Sequence, residues 1–186
     1  MLEKINETTS FLRSKGIDGP QAGIILGTGL GGLTTKIKNQ LEIDYGEIPN
    51  FPVSTVEGHA GKLIYGDFGG KKIVAMKGRF HFYEGYDMPQ IGLPVRVMQR
   101  LGIQILIVTN AAGAVNPDFN PGDLMLITDH LNMIGMAGNS PLRGPNLDEL
   151  GPRFPDMSRA YDLELGKLAR QVAAENHVLL HQGVYV

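Results

Sequence analysis

Ala22-Gly23-Ile24-Ile25-Leu26-Gly27-Thr28-Gly29-Leu30-Gly31-Gly32 joins an unbroken apolar run to a glycine-rich loop. An apolar run this short predicts a strand buried on both faces, which in turn predicts a sheet covered by helices. The loop that follows lets the backbone turn sharply and bring successive N–H groups toward an oxyanion, with the Thr28 hydroxyl as one more donor. Glycines at 27, 29 and 32 also fit the dinucleotide fingerprint. That fingerprint requires a following helix and a second buried strand ending in an acid, and Glu42-Ile43-Asp44-Tyr45-Gly46 is too polar to supply it. A glycine turn chosen for packing stays open.

Outward from this stretch the pattern repeats. On the N-terminal side, residues 3 to 14 predict a short helix stopped near Gly16. On the C-terminal side, strands are expected at 61 to 67 and 72 to 77, joined as a hairpin through Gly69-Gly70. A helix is expected over 88 to 101 despite Pro94, then a second fully buried strand over 104 to 109 and a small-residue loop from Asn110. A strand from Leu124 to Thr128 precedes a long Pro-, Gly- and Asn-rich excursion over 131 to 157. Ser158 is the expected cap of a helix over 159 to 176, and 178 to 186 again looks strand-like. The alternation predicts an α/β fold with a central mixed β-sheet flanked by helices, in a single domain over 1 to 186. Because the chain stops within the apolar run Gly183-Val184-Tyr185-Val186, the last part of the sheet is expected to be missing.

Composition narrows the chemistry. The 186 residues contain no cysteine, so thiolate catalysis and cysteine-based metal sites are excluded and the cytoplasm is the expected compartment. Seventeen basic and nineteen acidic residues give a net charge of -2 without long runs of either sign, so no nucleic acid partner is expected and any anion must be gripped locally. No apolar stretch approaches membrane-spanning length, so no membrane partner is expected either. The histidines lack a zincin-type pattern, and no metal is expected.

A local grip is available in Gly78-Arg79-Phe80-His81-Phe82-Tyr83-Glu84-Gly85. In an extended reading Arg79, His81 and Tyr83 share one face, with Phe80 and Phe82 toward the core. A guanidinium fork matches phosphate or carboxylate, and an adjacent imidazole adds a donor or moves a proton. A solvated Arg on an aromatic strand edge stays open. Asn110-Ala111-Ala112-Gly113 starts where a buried strand ends, the place where open α/β sheets bind ligands, although Asn110 can equally cap the strand. His59, in the glycine-flanked loop Ser54 to Gly61, is either a mobile imidazole for a site or a solvated loop residue. His130 is expected to pair structurally with Asp129, and His177 and His181 are read as structural.

Leu26-Gly27-Thr28-Gly29-Leu30-Gly31, Gly58-His59-Ala60-Gly61, Gly78 to Gly85, Thr109-Asn110-Ala111-Ala112-Gly113 and Arg153-Phe154-Pro155-Asp156-Met157-Ser158 together resemble the trimeric purine nucleoside phosphorylases, in order and in spacing. The resemblance covers essentially the whole chain. It implies a nucleoside phosphorylase-like fold and a glycosyltransferase of purine salvage: inorganic phosphate attacks C1′ of a purine (deoxy)ribonucleoside and releases the base and (deoxy)ribose 1-phosphate. Phosphate is then a co-substrate, and no cofactor is needed. The resemblance implies that Thr28, Arg79, His81, Asn110, the Ala111 main chain and His59 serve phosphate, with His81, Glu84 and His59 in the catalytic set. It implies that Tyr83 contacts the ribose, that Glu84 supports His81, and that Phe154 reaches a neighbouring subunit of a homotrimer. Thr28 stands where the family commonly has serine, which keeps the hydroxyl.

In the family, the glutamate and asparagine that recognise the purine lie beyond the equivalent of Val186. The resemblance therefore predicts a phosphate half-site with little or no phosphorolysis, and leaves the preferred purine undefined. Two other readings are carried beside it: a non-catalytic phosphate-binding or oligomerising fragment, and an NAD-binding oxidoreductase resting on Gly27, Gly29 and Gly32.

Overall fold

A computed structural model describes residues 1–53 and 61–186. They form two compact units, Met1–Ala112 and Gly113–Val186.

The first unit is built on the apolar run. Strand β1 (Ala22–Leu26) lies inside a five-stranded sheet with β2 (Lys38–Asp44), β3 (Lys62–Phe68), β4 (Lys71–Lys77) and β5 (Ile105–Val108), in the order β2-β3-β4-β1-β5. The sheet is mixed: β1 runs parallel to both β4 and β5, whereas β2-β3 and β3-β4 are antiparallel. The β3-β4 hairpin turns at Gly69-Gly70, both with positive φ, as the glycine pair predicts. One face of the sheet buries Ile24, Leu26, Ile64, Ile73 and Ala75 together with Ile37.

Helices α1 (Leu2–Ser14) and α2 (Met88–Leu101) pack against each other. Helix α2 starts in a reciprocal cap, with Asp87 Oδ1 accepting from Gln90 N at 2.8 Å and Gln90 Oε1 accepting from Asp87 N at 2.9 Å. It keeps Pro94 in its interior, where the ring is buried. Met98 reaches β1 at Gly23: a Cβ there would sit 3.0 Å from its sulfur and 2.9 Å from Ile103 Cδ1, so the helix needs glycine at that point of the strand.

One strand expectation is corrected here, and the two structural demands of the dinucleotide reading go unmet. Strand β5 is not fully buried: its four residues are 37 to 53% exposed, and among the described strands it pairs with β1 at the edge of the sheet. Lys38–Asp44, too polar for a central strand, forms an amphipathic edge strand antiparallel to β3. The glycine loop leads into a six-residue 3₁₀ turn, Gly31–Lys36, rather than an α-helix. A dinucleotide fold needs a helix and a parallel strand at these two places, so the fingerprint reading fails on geometry.

In the second unit β6 (Leu124–His130) and β7 (Leu180–Tyr185) pair in parallel. Between them lie the single-turn helix α3 (Met133–Met136), a largely irregular excursion and helix α4 (Leu163–Glu175). Asp162, not Ser158, caps α4: its carboxylate accepts from Leu165 N at 2.8 Å, while Ser158 N is engaged in a turn with Asp156 Oδ1 at 2.9 Å. Among the described residues no helix is long and apolar enough to cross a membrane.

Candidate phosphate site

Parallel register decides which loops meet. Leu26 is opposite Lys77, and Ile25 is opposite Val108, so β4, β1 and β5 end side by side. The next residues are Gly78-Arg79, Gly27-Thr28 and Thr109-Asn110, which places all three loops at the carboxyl edge of the parallel strands.

The loops touch through main chain. A Cβ on Gly27 would lie 2.7 Å from Asn110 Cα and 2.8 Å from Thr109 O, so only glycine permits this approach. Gly27 N donates to Thr109 Oγ1 at 2.9 Å, and Thr109 Oγ1 donates to Ile25 O at 3.0 Å. The Gly27 carbonyl accepts from Leu30 N at 3.2 Å, so Thr28 stands exposed on the corner of a tight turn. Its hydroxyl makes no hydrogen bond to the described residues. Asn110 is half-buried and Ala111 is exposed.

Arg79 joins the same point from β4, its Nη1 donating to Thr109 O at 2.9 Å. Its Nε approaches His81 Nε2 at 3.3 Å. On the other side of the ring, His81 Nδ1 and His81 N lie 2.8 and 2.9 Å from Glu84 Oε1. The carboxylate accepts, so the neutral ring carries its proton on Nδ1 and turns the Nε2 lone pair toward the Arg79 N–H. The Glu84 side chain is 2% exposed, whereas the imidazole keeps 29% of its surface toward solvent. Tyr83 covers the other face of the imidazole, stacked at 4.6 Å with 19° between the planes, and is itself 78% exposed.

The cluster is anchored from behind by aromatics. Phe80 is buried against Tyr45, Phe51 and Tyr86. Tyr45 OH donates to Gly78 O at 2.8 Å, and burial pushes its phenol well above the ordinary tyrosine value. Phe82 departs from the extended reading: it is 40% exposed because Phe82–Glu84 winds into a 3₁₀ turn, the turn that also brings Glu84 back to His81.

Other candidates lie elsewhere. His59 falls outside the described residues. Phe154, in the second unit, is 86% exposed, with the Arg153 guanidinium 6.0 Å from its ring centroid. Arg153 also donates to the Leu142 and Gly144 carbonyls, which folds the excursion onto itself. His130 Nδ1 is 3.3 Å from Tyr161 OH, and Asp129 Oδ1 accepts from the His130 main chain at 2.8 Å rather than from its ring. His181 pairs with Asp123 at 2.9 Å and stacks on Phe119. Among the described residues no three His, Asp or Glu side chains converge as a metal site. Thr109 is the residue sequence reasoning missed. Its sequence signals are its place at the end of an expected strand and at the head of the Thr109-Asn110-Ala111-Ala112-Gly113 motif.

A mixed sheet whose parallel strands bring a glycine turn, an arginine and a main-chain loop to one edge defines an α/β protein with a candidate anion site. The chain belongs to the phosphorylase superfamily, whose family model matches residues 21–186. It is 50% identical over 185 residues to purine nucleoside phosphorylase 1 of Bacillus subtilis, covering 100% of this chain and 67% of the relative. To purine nucleoside phosphorylase 1 of Geobacillus stearothermophilus it is 54% identical, covering 98% of this chain and 65% of the relative. Isoform 2 of the Schistosoma mansoni purine nucleoside phosphorylase, solved with cytosine and ribose-1-phosphate, superposes with a TM-score of 0.93 at 48% identity, covering 98% of this chain and 65% of that one. The chain thus spans about two thirds of the length of these relatives.

Proposed function

We propose that this chain carries the phosphate side of a purine nucleoside phosphorylase, acting on purine (deoxy)ribonucleosides and inorganic phosphate. One observation carries the reading: the Thr28 turn, Arg79, His81 and the Asn110-Ala111 main chain meet at one sheet edge, through Thr109. The names of the relatives, and the complex of a Schistosoma mansoni relative with ribose-1-phosphate, support the choice of substrate class.

In this reading phosphate sits between the Thr28 hydroxyl, the Ala111 N–H and the free edge of the Arg79 guanidinium. Phosphate oxygen bonds to C1′ as the C1′–N9 bond breaks, and the electron pair leaves with the purine. Positive charge develops on the sugar, so the fixed dianion beside it stabilises the transition state more than the ground state. His81, held by Glu84, serves the phosphate through Arg79, whose Nε–H it accepts. Tyr83 lies against the ribose, His59 approaches phosphate and ribose from its loop, and Phe154 covers the ribose of a neighbouring subunit in a homotrimer. Residues 1 to 186 act as one phosphorylase domain, in the cytoplasm.

The test is titration with inorganic phosphate. The chain should bind it, and Arg79→Ala should weaken binding roughly 10- to 100-fold through loss of a charge-assisted bond. Binding unaffected by this substitution would remove the assignment.

A further inference from the structure

Thr109 touches no phosphate in the reading above, yet its polar groups meet both of the other loops. We propose that Thr109 is the positioning residue of the phosphate grip, setting the glycine turn through its hydroxyl and Arg79 through its carbonyl. The inference rests on the phosphate assignment of the Proposed function.

Three facts support it. The Thr109 main chain is fixed to the sheet, since its N–H donates to Ile25 O at 3.0 Å. Its hydroxyl is engaged in both directions, donating to the same Ile25 carbonyl at 3.0 Å and accepting the Gly27 N–H at 2.9 Å. Its carbonyl accepts Arg79 Nη1 at 2.9 Å. One residue at the end of β5 thereby fixes a donor from the loop after β1 and a donor from the loop after β4. Gly27 is buried, with 2.7 Å between the Cβ it lacks and Asn110 Cα. No side chain cushions the two loops, so any displacement of Thr109 passes directly to the turn that presents Thr28.

Valine is the discriminating substitution. It keeps the β-branched shape and the carbonyl, and it removes the hydroxyl oxygen that accepts the Gly27 N–H among the described residues. A buried N–H left without a partner is costly, and the tight turn is the part that can move to relieve it. Serine retains the hydroxyl and loses only a methyl group.

The experiment is calorimetric titration of the whole chain with inorganic phosphate, for the parent and for Thr109→Val, Thr109→Ser and Arg79→Ala, with thermal unfolding recorded for each. Thr109→Val should bind phosphate about tenfold more weakly, the equivalent of one lost hydrogen bond, and Thr109→Ser should retain the parental affinity. A purely structural residue would lower the unfolding temperature of the valine variant and leave phosphate affinity unchanged. Parental affinity in Thr109→Val, or equal loss in valine and serine variants, overturns the proposal. If Thr109→Val does not fold, Thr109→Ala carries the same comparison against serine. A parent that binds no phosphate defeats the phosphate assignment and this inference together. A parent that binds, and loses affinity in Arg79→Ala but not in Thr109→Val, defeats this inference alone.

Discussion

Glu84 accepts two hydrogen bonds from one residue, His81 N and Nδ1, while its own side chain is nearly excluded from solvent. Removing the carboxylate strands two donors at once. Glu84→Ala is expected to cost about 1 to 3 kcal/mol of stability, the penalty for half-buried polar groups left unpaired, and to weaken phosphate binding by freeing the ring. Denaturant melts and phosphate titration measure the two effects separately. Tyr45→Phe addresses the other end of the cluster: losing the bond to Gly78 O should cost about 1 kcal/mol, visible in the same melts. At this scale the clustering of Arg79, His81 and Glu84 could be read, because one short segment carries all three side chains. Thr109 could not, because its role depends on which backbones lie beside it. Phe82 was misplaced because a period of two does not survive a 3₁₀ turn.

The elements that could be read in the sequence are those whose pattern comes from burial on both faces or from a cap. Strand β1 is an apolar run, the β3-β4 hairpin follows its glycine pair, and α2 begins and ends where Asp87 and Gly102 stand. Strand β2 gave no such signal. Its residues are mostly exposed, its register shifts between Lys38 and Leu41, and Asn39 takes a positive φ, so only pairing with β3 makes it a strand. The start of α4 was missed by a few residues because Ser158 and Asp162 are both acceptable caps, and tertiary context selects one. The β6-β7 pair yields a prediction with a definite sign. The Asp123 carboxyl is held below its ordinary value, first by the Asn120 N–H and then by His181. A depressed folded-state pKa stabilises the fold above the ordinary carboxylate range, and that contribution is lost as pH falls through the lowered value. Asp123→Asn should therefore be less stable than the parent near neutrality, with the difference shrinking as pH falls below the ordinary carboxylate range, as denaturant melts over an acid pH series would record.

Over the whole chain, a net charge of -2 provides no general attraction for an anion, so phosphate affinity has to come from the grip itself. All of that grip's described residues fall within Met1–Ala112. The family could be read because five motifs keep their order and spacing, whereas the assembly and the role of Phe154 depend on surfaces that one sequence does not define. Two measurements address the molecule as a unit. Inosine turnover by this chain should be little or none beside that of a relative of full length, and comparable rates would refute the half-site reading. Sedimentation should give three times the 20.2 kDa chain mass if Phe154 serves a neighbour in a trimer. The shared post at Thr109 also bears on how such a site can diverge. With two loops tied to one residue of a third, substitutions at Gly27, Arg79 and Thr109 are expected to be strongly epistatic, so a sequence tolerated in one homologue can be damaging when a single loop is transplanted into another.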